Sequence, residues 1–305
     1  MNKEKVDCFA IKNIRRSLKC MDLLGINTDQ LYKYYYKFIL LRLNNVLCKA
    51  WIEFQKEMDK NRPMVSSDKV WIMWWQGYEQ APLIIKSNIN NFNRLFGKKA
   101  ILVTKDNFIN YTDIDNSIIR RFKSGDISFT QWSDIVRYNL LKNNGGLWID
   151  SSVIISDKFL TLEEPFTADY FSLCSNPSTA KFISLGRWTG WCIGGKSNYD
   201  LFLFMDIFFK IYYHYYNRTI DYFFADDAIA FFYNKSIKFR NIVRYESKEW
   251  DPYIFIRNFK SKNNSKFINQ FKTEQKFCVQ KLTYKFDFDS VDNNTLAKKL
   301  ELGEI

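Results

Sequence analysis

The 305-residue chain holds a single histidine, His214, which excludes a histidine-rich metal site. Its six cysteines (Cys8, Cys20, Cys48, Cys174, Cys192 and Cys278) are scattered and form no C-x-x-C pair. That spacing offers no disulfide framework, and a reducing cytoplasm is the expected setting. Glycine (11) and proline (5) are scarce, so the chain is no low-complexity or disordered polymer. Long apolar runs are missing too. The strongest early one, Phe38–Leu43, is interrupted by Arg42 and is far too short to span a bilayer. The opening stretch MNKEKVDCFAIKN lacks the apolar core of a signal peptide. With no zinc-finger spacing and no RNA-recognition motif, nucleic acid is not an expected partner.

What the chain does have is an apolar share of 47%, ample for a large core, with aromatics at 18% and a formal charge of +12. The charge is unevenly placed. Residues 1–62 carry 13 Lys/Arg against 7 Asp/Glu, residues 63–234 carry 17 of each, and residues 235–305 carry 15 against 9. A neutral middle between basic ends fits an enzyme core whose flanks meet an anionic surface. That surface would be the inner face of a membrane or a phosphate-bearing ligand. Solvated lysine-rich faces would give the same count.

Apolar residues at Tyr32, Tyr36, Ile39, Leu43, Leu47, Ala50, Phe54 and Met58 recur at helical steps behind a Thr28-Asp29 cap. They predict a long helix to about Asn61 whose stripe packs on the core. After Pro63 the pattern alternates. Lys69–Trp75 and Ala100–Thr104 read as strands, with helices over Leu83–Phe96 and Ile114–Phe122. A helix from about Thr130 to Asn143 stops at Gly145-Gly146 and feeds a strand over Leu147–Asp150. Tyr170–Cys174 and Trp191–Ile193 read as further strands, and Asn198–Tyr216 and Ile220–Tyr233 as helices. Such alternation predicts an α/β domain with a mainly parallel central sheet. The expected division is a basic helical extension over 1–62, the α/β domain over 63–290 and a tail over 291–305.

The segment richest in chemistry runs from Ser133-Asp134-Ile135-Val136-Arg137-Tyr138 through Gly145-Gly146-Leu147-Trp148-Ile149-Asp150-Ser151-Ser152. On a helix, Asp134 and Arg137 share a face. Asp150 stands at the carboxyl end of the next strand, where open α/β sheets bind ligands. Two carboxylates and a guanidinium suit a polyhydroxylated ligand, because carboxylates accept from hydroxyls and arginine donates to sugar or phosphate oxygens. Spacing alone equally allows a surface ion pair and a strand-end cap.

This S-D-x-x-R-Y…L-L…G-G-x-W-x-D-x-S pattern resembles the sugar-binding signature of capsular polysaccharide synthesis proteins. They are relatives of the D-x-D glycosyltransferases with a GT-A fold, a fold shared by the large clostridial glucosylating toxins. Four more segments resemble the family in the same order: Trp71–Pro82 (WIMWWQGYEQAP), Leu102–Asn107 (LVTKDN), Ile220–Phe232 (IDYFFADDAIAFF) and Val279–Lys285 (VQKLTYK). The last has Gln280 where histidine is common. Together the resemblance covers about residues 68–286.

The resemblance implies a GT-A-like fold and transfer of a sugar from a nucleotide donor, UDP by analogy, with retention at the anomeric carbon. The implied acceptor is a growing capsular or other surface glycan, carried on a lipid. Trp71, Trp74 and Gln76 would line the nucleotide pocket, Asp134 and Arg137 would hold sugar or ribose hydroxyls, and Lys281 would reach the diphosphate. Asp150 would be the first acid of the D-x-D element, and Asp226 and Asp227 would stand on the acceptor side. The second D-x-D acid is replaced by Ser152, a much poorer ligand for Mn²⁺ or Mg²⁺ than a carboxylate. Either Asp150 binds an ion with water and diphosphate completing its shell, or Lys281 and Lys285 offset the leaving-group charge instead. Two other functions fit the same residues: a glycosyltransferase acting on protein, and a basic binding protein on a transferase fold that has lost catalysis.

Overall fold

The structure is a computed structural model that describes residues 3–58, 60, 62–174, 180–245 and 250–305. It opens with two helices, α1 (Lys3–Leu23) and α2 (Asp29–Met58). The predicted stripe of α2 is buried from Tyr32 to Phe54, and only Met58 is exposed. The expected end of that helix, Asn61, lies outside the described residues.

The α/β part follows the predicted alternation closely. β1 (Val70–Met73) leads through α3 (Leu83–Phe96) to β2 (Ala100–Val103). Next come α4 (Asn116–Lys123), α5 (Phe129–Asn144) and β3 (Gly146–Ile149). β4 (Val153–Ile155), α6 (Glu164–Thr167), β5 (Tyr170–Ser172) and β6 (Cys192–Gly195) lead to α7 (Asp200–Tyr215), α8 (Phe224–Lys235) and α9 (Ile237–Tyr245). The chain closes with α10 (Ile254–Arg257), α11 (Ser265–Thr273), β7 (Val279–Lys281) and α12 (Leu296–Leu302).

Five strands form the central sheet in the order β2-β1-β3-β6-β5. β1 pairs in parallel with β2 and β3, but β6 is antiparallel to both β3 and β5. The sheet is therefore mixed, not mainly parallel as expected. A parallel return needs a long crossover, usually a helix. Among the described residues no helix lies between β5 and β6. β4 and β7 form a separate antiparallel pair.

Side chains alternate across the sheet. Trp71, Met73 and Trp148 face a core built with α2, α5, α7 and α8, whereas Val70, Ile72, Leu147 and Ile149 face a second core with α3, α10 and α12. Helices thus cover both faces, and strands buried on both faces explain the unbroken apolar runs. The N-terminal helices share the first core with Trp132 and Phe202. The stretch expected as a tail folds back, with Leu296, Ala297 and Leu300 of α12 buried in the second core.

The double glycine between α5 and β3 is sterically required. Gly145 and Gly146 have φ of 64° and 91°, and a Cβ on Gly146 would lie 2.4 Å from the Lys69 carbonyl oxygen. Only glycine lets the chain turn there and enter the sheet beside β1.

Candidate active site

From β1 the chain goes through α3 to β2 on one side, while β3 lies on the other. The order of connection reverses between β1 and β3, which makes a crevice beyond their carboxyl ends. A cleft of about 600 Å³ occupies this crevice. Met73–Gln76 from the end of β1, Asp150–Ser152 from the end of β3, the first turns of α5 and residues 281–285 after β7 form its walls, with Tyr222 on the rim.

Four charged side chains are linked in series on its floor. Arg137 Nη1 donates to Asp134 Oδ1 at 2.5 Å and Nη2 to Asp150 Oδ1 at 3.1 Å. Lys281 Nζ donates to Asp150 Oδ2 at 2.7 Å, and Trp148 Nε1 donates to Asp150 Oδ1 at 2.9 Å. Helical spacing aims Asp134 and Arg137 the same way, and register Val153↔Lys281 carries the ammonium across to the turn after β3. The Arg137 guanidinium also lies over the Trp148 ring, 5.1 Å from its centroid.

Burial pushes the Asp134 carboxyl up, with Arg137 opposing and Asp150 adding to the rise. Burial acts the same way on Asp150, but there Lys281 and Arg137 outweigh it and hold the group below the usual carboxylate range. For Arg137, burial disfavours the charge, and the two carboxylates more than restore it. The series is a chain of ion pairs running from Asp134 through Arg137 and Asp150 to Lys281.

The predicted nucleotide-side residues separate into two groups. Trp74 and Gln76 line the cleft. Trp74 meets Tyr284 edge-on at 5.5 Å, and its buried indole N–H has no hydrogen-bond partner among the described residues. Trp71 is a correction. It is fully buried, its Nε1 donates to the Gly145 carbonyl at 2.8 Å, and it sits within β1, two residues short of the strand's carboxyl end at Met73, so it is enclosed in the core and does not reach the cleft.

On the acceptor side, Asp226 accepts from Trp188 Nε1 at 2.9 Å. Burial and the nearby Asp134 push its carboxyl up to about 6, although Trp188 and Arg137 pull it down. Asp227 is a second correction. It is buried with no exposure, and neither of its carboxylate oxygens has a partner among the described residues. Burial and the neighbouring Asp221 push its carboxyl well above the usual range, and its lack of exposure puts it in the core, out of a substrate's reach.

Several cleft residues had no predicted role. Trp148 stands two residues before Asp150, and strand alternation puts both on one side, which is the signal that could have found it. Trp75, Phe129 and Tyr284 supply aromatic walls. Gln280 is structural: its side chain accepts from Phe255 N–H and donates to the Asp251 and Phe277 carbonyls.

A divalent ion fits this donor set poorly. Both oxygens of Asp150 are already engaged by N–H donors, and Ser152 offers only a neutral hydroxyl. Among the described residues no three His, Cys, Asp or Glu side chains converge on one point. An ion at Asp150 would have to compete with the ammonium already there.

The family model of the capsular polysaccharide synthesis protein matches residues 26–300, nearly the whole chain. The chain belongs to the capsular polysaccharide synthesis protein family. The match spans α2, the sheet and every residue of the relay. No curated protein and no solved structure matches the chain. Membership ties the protein to capsular polysaccharide synthesis.

Proposed function

We propose that this family member is a glycosyltransferase that takes a sugar from a nucleotide donor, UDP-linked by preference, and passes it to a growing capsular glycan. The observation that carries this reading is the Asp134–Arg137–Asp150–Lys281 relay on the floor of the crevice between β1 and β3. A GT-A-like arrangement of the donor is the reading that uses every part of the cleft.

In this reading the base rests among Trp74, Trp75 and Phe129, where aromatic faces offer stacking. The indole N–H of Trp74, which lacks a partner among the described residues, would donate to the nucleotide. Asp134 accepts from sugar or ribose hydroxyls, and Arg137 is held rigid between two carboxylates. As the bond between the anomeric carbon and the diphosphate breaks, the electron pair leaves with the diphosphate, and the acceptor oxygen bonds to that carbon on the same face and passes its proton to the departing diphosphate oxygen. Lys281, oriented by Asp150, and Lys285 on the same strap face the growing negative charge. A fixed donor aimed at such charge contributes about 3–4 kcal/mol to the transition state. The cations supply this stabilisation from the chain's own residues, and retention at the anomeric carbon is part of the proposal.

The test is release of UDP from a panel of UDP-sugars by the purified protein, with Asp134→Asn and Asp150→Asn alongside. Sugar-selective release that both variants abolish supports the proposal. If no nucleotide binds and nothing is released, the fold is acting as a binding module. An inverted product by NMR would remove the stereochemical part alone.

A further inference from the structure

The long helix α2 carries two apolar stripes, and the core uses only one. Leu31, Tyr34, Phe38 and Leu41 recur at three- and four-residue steps on its outer side, and all are exposed; Tyr34 is 68% exposed and Leu41 67%. At the adjoining tip of the α1–α2 hairpin, Leu23 is 87% exposed, Leu24 77% and Ile26 is also bare. Single exposed apolar side chains need no explanation, but seven on one helical hairpin make a patch.

The charges around this patch are of one sign. Between residues 9 and 49 the exposed charged side chains are Lys12, Arg16, Lys19, Lys33, Lys37, Arg42 and Lys49, all cationic; of these Arg42 is paired at 2.7 Å with Asp7 of α1, and the others outnumber that acid. The acids of that stretch, Asp22 and Asp29, are only partly exposed and are used internally. Asp22 accepts from Thr28 and Tyr32, and Asp29 accepts from the Ala180 N–H. No helix among the described residues is long and apolar enough to cross a membrane.

We infer that the α1–α2 hairpin is a docking surface for an anionic bilayer, with Leu23, Leu24 and the Leu31–Leu41 stripe set among the headgroups and the lysines and arginines paired with lipid phosphates. An amphipathic helix with a cationic rim lies in the plane of the interface in this way. A second copy of the chain is a worse occupant, because a self-facing patch would set Lys33, Lys37 and Arg42 against like charges. The buried stripe of α2 joins the core of α7 and α8, so the surface is tied to the body of the protein. The inference stands on exposure and charge, independently of the transferase reading.

The experiment is flotation of the full-length protein with vesicles of phosphatidylcholine alone or mixed with phosphatidylglycerol, in low and high salt. Binding is expected on the mixed vesicles only. Lys33→Glu/Lys37→Glu should weaken it by roughly 30-fold or more. Leu23→Ser/Leu24→Ser should make the remaining binding vanish in high salt. Melting temperatures equal to wild type would show that the variants fold, since all four side chains are exposed. Equal binding to both compositions, no binding, or variants that float like wild type would each overturn the inference. So would a concentration-dependent dimer in ultracentrifugation that Tyr34→Ser/Leu41→Ser dissolves. UDP release by the same variants in solution stays at the wild-type level, so a failure here is distinguishable from failure of the transferase reading.

Discussion

Lys281 Nζ lies 2.7 Å from Asp150 Oδ2 although 131 residues separate the two in the chain. The β4–β7 ladder brings them together, with Val153 opposite Lys281 just past the Asp150 turn. Lys281→Met removes the cation and should lower UDP release about 100- to 1,000-fold. Because Asp150 orients that cation, Lys281→Met/Asp150→Asn should fall far short of the product of the two single losses. Rates for the three variants check this, and fully multiplicative losses would show that the residues act separately.

Arg137 is buried between Asp134 and Asp150. Arg137→Ala leaves two partly buried carboxylates without their shared partner, although Asp150 keeps Lys281 and Trp148, and should cost about 3 kcal/mol of stability. Arg137→Lys keeps a charge but loses the fork that reaches both acids, so it should restore part of the stability and little of the activity. Urea unfolding of both variants, set against their rates, separates the two effects.

Trp74→Phe keeps an aromatic ring against Tyr284 but removes part of the bicyclic ring and, with it, the indole N–H that has no partner among the described residues. If that group donates to the nucleotide, UDP affinity should fall about tenfold while the melting temperature changes little, the lost packing opposing the gain from removing an unpaired N–H. Calorimetry with UDP decides it; unchanged affinity would detach Trp74 from the ligand.

Asp226 has its carboxyl pushed from 3.8 up to about 6 by burial, with Asp134 adding to the rise. The folded state therefore holds this proton more tightly than the unfolded chain. Its stabilising contribution is complete below about pH 4 and is lost as pH rises through about 6. Asp226→Asn can still accept from Trp188 and carries no charge. It should stabilise the protein by on the order of 1 kcal/mol near about pH 7.5, with the gain gone near about pH 4.5. Melting curves at the two pH values test the sign, and a gain that persists in acid would refute it.

Most of the elements were legible because local rules govern them. The helix over Leu83–Phe96 appears as read, and glycine pairs and strand-length apolar runs mark the path from α5 to β3. Asp134, Arg137 and Asp150 were legible as a group because one helix, one turn and one strand place them within a short stretch of chain. Trp71 lies outside the cleft because it is enclosed within β1, whereas Trp74 stands beyond the strand's end; sequence pattern does not tell how far along a strand the cleft begins.

What the sequence by itself determined was the α/β alternation, the acids and arginine of the signature, and a basic excess confined to the flanks. Only the tertiary structure decided that β6 runs against its neighbours, that Asp227 lies buried in the core, and that Lys281 closes the relay on Asp150. It also decided that one stripe of α2 is core while the other is bare. The reason is physical: helix and strand patterns follow from neighbouring residues, whereas burial, strand direction and long-range ion pairs depend on what the rest of the chain places opposite each face.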